Sequence, residues 1–151
     1  MDLPSDFKAL LALFNANGVE YVIVGGYALA QHGAPRFTGD IDILVKVDAD
    51  NARNILAALD AFGFGSLGLT TDDFIAPDQI LQFGFPPQRI DLMTSITGVT
   101  WDEVKFGSVS GMYDDVPALF IGRSQLIANK RATGRAQDLA DLEALGEDVE
   151  K

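Results

Sequence analysis

Asp40 and Asp42 stand two apart in Asp40-Ile41-Asp42-Ile43, and Asp91 stands among apolar neighbours in Arg89-Ile90-Asp91-Leu92-Met93. Residues two apart on a strand point to one face, so the first pair places two carboxylates together with their Cα atoms about 6.5 to 7 Å apart. They repel each other, and Asp is a poor strand former, so the pair lowers stability unless solvent or a cation relieves it. Mg²⁺ takes one or two carboxylates plus substrate phosphates, and two such ions about 3.5 to 4 Å apart clamp a phosphoryl group in line with its attacker. Asp91 is the candidate third carboxylate: with Ile90 and Leu92 facing the core, it points to the other side. The same pattern also suits a plain amphipathic strand, with Ile41, Ile43, Val45 and Val47 buried and Asp40, Asp42, Leu44 and Lys46 in water. A second feature shifts the balance between these readings. Val24-Gly25-Gly26 closes an apolar run and opens a helical stretch, and glycines there let backbone N–H groups approach a triphosphate at the positive end of a helix.

The elements that must position these residues follow from periodicity. Residues 5–15 carry Phe7, Leu10, Leu11 and Phe14 at helical spacing, ended by Gly18. Residues 21–24 are a wholly apolar buried strand, 27–32 a helix, 41–47 an alternating strand, and 50–62 a helix opened by an Asp cap and closed by Gly63. Residues 80–85 and 89–93 read as a hairpin about Pro86-Pro87. A helical turn at 101–104, strands at 105–109 and 118–121, and helices at 124–133 and 135–145 complete the chain. The acidic tail, 147–151, is expected to fray.

Among the basic residues, Arg123, Lys130, Arg131 and Arg135 fall within one stretch of thirteen. On an ideal helix Arg123, Ile127, Lys130, Arg131 and Gly134 share a face, so Lys130 and Arg131 are candidates for binding nucleotide phosphate. The competing reading is surface pairing, with Arg131 and Arg135 four apart and Arg135 and Asp138 three apart; it is favoured for Arg135 and Asp138. Arg36 and Thr38 lie in the loop entering the Asp strand, within reach of a phosphate. His32, the sole histidine, reads as a cap or surface residue, and Trp101 and Phe106 as core aromatics.

The chain of 151 residues is long enough to bury about two-thirds of its unfolded surface as one domain spanning 1–151. A net charge of −11 disfavours a broad nucleic-acid footprint. With no cysteine there is no disulfide, thiolate nucleophile or Cys-based zinc site. No apolar run reaches the roughly 18 residues of a membrane span, and Met1-Asp2-Leu3-Pro4 lacks the start of a signal peptide. The expected location is the cytoplasm, with no membrane partner.

Val24-Gly25-Gly26, thirteen intervening residues, Asp40-Ile41-Asp42-Ile43 and the later Asp91 together resemble the nucleotidyltransferase superfamily, which shares its palm-like core with DNA polymerase β. The details look most like small bacterial proteins related to nucleotidyltransferase toxins of abortive-infection and toxin-antitoxin systems. The stretch 126–142, with Lys130, Arg131, Arg135, Asp138 and Asp141, is similar to their later Lys-containing motif. The resemblance implies that Gly25 and Gly26 hold the phosphates of an NTP and that Asp40 and Asp42 bind Mg²⁺. Asp91 is then the third ligand, or the base for an acceptor hydroxyl that attacks the α-phosphorus and expels pyrophosphate. The acceptor, whether RNA, protein or small molecule, stays open, as does a protein partner or self-association. The alternative is a non-catalytic module on the same fold, such as one member of a toxin-antitoxin pair. The expected fold is α+β: a small mixed sheet with the three acids on one face, helices packed on the other, and a C-terminal helix pair.

Overall fold

Four successive apolar residues, Tyr21–Val24, form β1, and all four are buried, as in a strand covered on both faces. In the computed structural model, which describes residues 4–36, 38–85 and 88–148, β1 lies inside a six-stranded mixed sheet. Its neighbours are β2 (Ile41–Val45), antiparallel, and β6 (Val116–Phe120), parallel. β4 (Gln88–Met93) runs parallel to β2, and β3 (Ile80–Phe85) pairs antiparallel with β4. β5 (Val109–Tyr113) forms a second hairpin with β6, giving the order β3-β4-β2-β1-β6-β5.

The register explains how an apolar core and a polar site share one sheet. Leu81, Leu92, Ile43, Ile23 and Phe120 are partners in succession across five strands. One residue along, the row reads Gln82, Asp91, Asp42 and Val24, and alternation turns it to the opposite face. The acids of two separate strands thus become lateral neighbours.

Six α-helices lie among the described residues. α1 (Ser5–Ala16) buries Phe7, Leu10, Leu11 and Phe14, the predicted stripe, and packs against α3 (Ala49–Leu59) and β6. Asp48, rather than Asp50, caps α3: its carboxylate accepts from the Asn51 N–H at 2.6 Å. α2 (Gly25–Gln31) starts directly at the end of β1, so Gly25 and Gly26 are its first residues instead of a break before it. β2 stops at Val45, two residues short of the expected end.

The largest difference lies at α4 (Trp101–Gly107), where a helical turn and then a strand from 105 were expected. Thr100 and Glu103 close a reciprocal capping box, 3.2 Å and 2.9 Å, which starts a helix that runs through Lys105. Phe106, expected in the core, is 95% exposed. α5 (Arg123–Thr133) and α6 (Ala136–Ala144) form the C-terminal pair, joined at Gly134. The Pro86-Pro87 turn and residues 149–151 of the tail lie outside the described residues. Glu147 within that tail takes ion pairs from Arg123 and Arg131, both at 3.0 Å.

Candidate active site

The site is assembled where β1 ends, β2 begins and the C-terminal helices return. Gly25 has φ +70°, a conformation costly for residues with a Cβ, and a Cβ there would collide with the Asp42 carboxylate. A Cβ on Gly26 would lie 2.8 Å from Thr38 Oγ1. The glycine pair therefore admits the side chains of the acid strand and its entry loop as well as exposing backbone.

Asp40, Asp42 and Asp91 adjoin, as the sequence pattern required, but they are not equivalent. Asp91 is 5% exposed and accepts a two-pronged contact from Arg89, Nε to Oδ1 at 2.8 Å and Nη2 to Oδ2 at 3.1 Å. The same guanidinium reaches Asp40 Oδ2 at 3.1 Å, and the Arg89 N–H donates to Asp40 Oδ1 at 3.3 Å. Asp42 lies between them. Burial pushes its carboxyl up to about 6, helped by the charges of Asp91 and Asp40 and a hydrogen bond shared with Asp91; Lys130 pulls it slightly back. Among the described residues, no group of three or more His, Asp or Glu side chains is arranged to hold a metal ion. Arg89 thus contacts both Asp91 and Asp40, but Asp91 is buried behind the sheet surface while Asp40 and Asp42 line open space.

That space is a cavity of about 760 Å³ whose walls include Gly25, Gly26, Thr38, Asp40 and Asp42 on one side. Lys130, Thr133, Arg135 and Asp138 line the other, with Arg36 at the loop between. Lys130 is buried with its Nζ 2.7 Å from Asp141 Oδ2 and 3.4 Å from Asp138 Oδ1. Asp138 also accepts from the Thr133 hydroxyl at 2.7 Å, from the Arg135 N–H at 3.1 Å and from Arg135 Nε at 2.7 Å. Burial alone would raise both carboxyls. The bonds from Arg135 and Thr133 to Asp138, and from Arg36 and Lys130 to Asp141, outweigh it, holding Asp138 well below the usual carboxylate range and lowering Asp141 as well.

Of the residues singled out in the sequence, Gly25, Gly26, Arg36, Thr38, Asp40, Asp42 and Lys130 line the cavity, as do Arg135 and Asp138, for which plain surface pairing was favoured. Asp91 stands behind Asp42. Arg131 does not reach the cavity: its exposed guanidinium pairs with Glu147, as does that of Arg123, so the supposed face of three cations is divided. Successive helix positions are about 100° apart, and Lys130 and Arg131 diverge accordingly. Asp138, taken for a surface partner of Arg135, is 1% exposed. His32 serves the fold, with Nε2 2.7 Å from the Ile121 carbonyl oxygen. Arg89 was missed altogether; its position two residues before Asp91 on one strand, hence on the same face, was the available signal.

Residues 6–78 match the model of the aminoglycoside-2''-adenylyltransferase family. The matched stretch holds Gly25-Gly26 and Asp40-Ile41-Asp42 but neither Asp91 nor the C-terminal helices. No curated protein matches the chain significantly in sequence. A solved protein of Thermotoga maritima, provisionally assigned as a nucleotidyltransferase, superposes with a TM-score of 0.61 at 13% identity, covering 91% of this chain and 88% of its own. The mixed sheet has a nucleotidyltransferase-like fold, and the glycine turn and the acid strand lie within the stretch that the adenylyltransferase family model matches.

Proposed function

We propose that this chain transfers a nucleoside monophosphate from an NTP to a hydroxyl of a small acceptor, with Mg²⁺ held by Asp40 and Asp42. The observation that carries the reading is the cavity itself: two carboxylates beside a glycine turn face Lys130, Arg36 and Arg135 across about 760 Å³. A triphosphate carries the charge to bridge those walls, its oxygens against the cations on one side and sharing a divalent ion with the acids on the other. The donor set suits such an ion, being all oxygen. Burial, with the charges of Asp91 and Asp40 added, raises the proton affinity of Asp42, and a divalent cation beside it would favour the ionised form.

Bound there, Mg²⁺ supplies neutralisation of phosphate charge and a fixed orientation for the α-phosphoryl group. The residues of the chain do the positioning. Gly25 and Gly26 leave room for phosphate close to the backbone, and Lys130 and Arg135 meet the β and γ oxygens. The acceptor oxygen bonds to the α-phosphorus as the bond to the leaving pyrophosphate breaks, so most of the rate comes from alignment and electrostatics. Asp91, its oxygens already accepting from Arg89, supports Asp42 and Asp40 from behind.

The net charge of −11 favours a cationic acceptor over a polyanionic one. The name of the matching family points the same way, towards a hydroxyl-bearing aminoglycoside-like compound. Titration calorimetry with each of the four ribonucleoside triphosphates in MgCl₂ tests the site: binding by the wild type, lost when Asp40 and Asp42 are both changed to Asn, is expected. Absence of binding sinks the reading. Labelled-NTP transfer to an aminoglycoside panel, with tRNA in parallel, tests the acceptor. Label on tRNA alone overturns the cationic choice, and binding without any transfer favours a non-catalytic module.

A further inference from the structure

The cation wall of the cavity is built from parts far apart in sequence. Arg36 belongs to the loop that leads into Asp40, yet its guanidinium forks onto Asp141 of α6, Nε to Oδ1 at 2.9 Å and Nη2 to Oδ2 at 3.3 Å, across a separation of 105 residues. Asp141 is 1% exposed and also accepts from Lys130 Nζ at 2.7 Å and from Gln137 Nε2 at 2.9 Å. One carboxylate thus ties the entry loop of the acid strand to α5 and α6.

Fold stability alone is a weak reason for such a cluster, because a buried ionic group is commonly no more stabilising than apolar packing of the same volume. The charge count suggests another role. Three cations, Arg36, Lys130 and Arg135, share two buried carboxylates, Asp138 and Asp141, which leaves one positive charge in surplus on the wall facing Asp40 and Asp42. The carboxylates fix where those cations sit without cancelling them.

We propose that Asp141 is a positioning residue that sets the width of the triphosphate channel, holding Arg36 and Lys130 at a fixed distance from the acid strand. The inference rests on the nucleotide reading of this cavity. Removing the tie frees the loop before Asp40 and lets Lys130 turn wholly to Asp138, so NTP loses two aligned contacts while the acids stay in place.

The test compares wild type, Asp141→Asn and the milder Arg36→Gln, whose side chain is one-third exposed. Each of the four ribonucleoside triphosphates is titrated in MgCl₂, with thermal unfolding of every variant. Leu10→Ala, in the core stripe of α1, serves as a destabilised control with an intact wall. Both site variants should weaken NTP binding about tenfold or more. The double variant should lose less than the sum, since both changes cut one tie. Where turnover is measured, KM should rise more than kcat falls, and the control should shift the unfolding temperature alone. Unchanged NTP affinity in either folded site variant, or an equal loss in the Leu10→Ala control, overturns the inference. Wild-type protein that binds no NTP overturns the nucleotide reading instead.

Discussion

Asp42 shows how far a single carboxylate is tuned by its neighbours. The folded chain holds its proton to about pH 6, against 3.8 for the free side chain. Between those values the folded state binds more proton than the unfolded one, so Asp42 adds stability below about pH 4 that is lost as pH rises to 6. The loss amounts to roughly 3 kcal/mol. In metal-free buffer, Asp42→Asn should match wild type near pH 4 and exceed it in unfolding free energy above pH 6; a constant difference from pH 4 to 8 would contradict the raised proton affinity that burial and the neighbouring acids give Asp42. Gly25 and Gly134 separate strain from collision. Both have positive φ, but a Cβ on Gly134 meets nothing closer than the Arg131 carbonyl oxygen at 3.7 Å, whereas one on Gly25 strikes Asp42. Gly134→Ala should cost about 1 kcal/mol and Gly25→Ala about 2 to 4 kcal/mol in denaturant unfolding. The acids and glycines were legible because chemistry dictates their types. Arg89 was not, because its part depends on a guanidinium that reaches two carboxylates from different segments.

At the scale of elements, α1, the hairpin of β3 with β4 and the C-terminal helix pair were legible, because burial of one face imposes a period on each sequence. α4 was not: its polar first turn and exposed Phe106 carry no apolar stripe, and only the Thr100-to-Glu103 box marks its start. The stripe of α5 was legible as a stripe but not as a division of labour. Lys130 is 5% exposed beside Asp138 and Asp141, while the next residue, Arg131, reaches out to Glu147. Lys130→Met should therefore cost about 2 to 4 kcal/mol, since two buried carboxylates lose the cation they share and each keeps a single arginine as its charged partner. Arg131→Met should cost less than about 1 kcal/mol, as for other exposed pairs. Urea titrations of the two variants decide the matter, and equal losses would mean that the buried cluster is not ionic in solution.

The order of strands could not be read along the chain, because β1 pairs with β6, the last strand, and β2 with β4; those pairings are set by which faces must be covered together. Their consequence is electrostatic as well as structural. A chain with 22 acidic and 11 basic residues repels itself, and its parallel pairing of β2 with β4 adds a local excess by setting Asp42 beside Asp91. The two contributions respond differently to ions. Diffuse repulsion is screened by any salt, with a Debye length of about 10 Å at 0.1 M, whereas under the proposed function the crowded carboxylates would answer to a divalent cation that enters the cavity. At matched ionic strength MgCl₂ should raise the unfolding temperature more than NaCl does. The difference should vanish when Asp40 and Asp42 are both Asn, while the response to NaCl persists. Equal responses to the two salts in the wild type would mean that these acids bind no Mg²⁺ and only add to the general charge of the molecule.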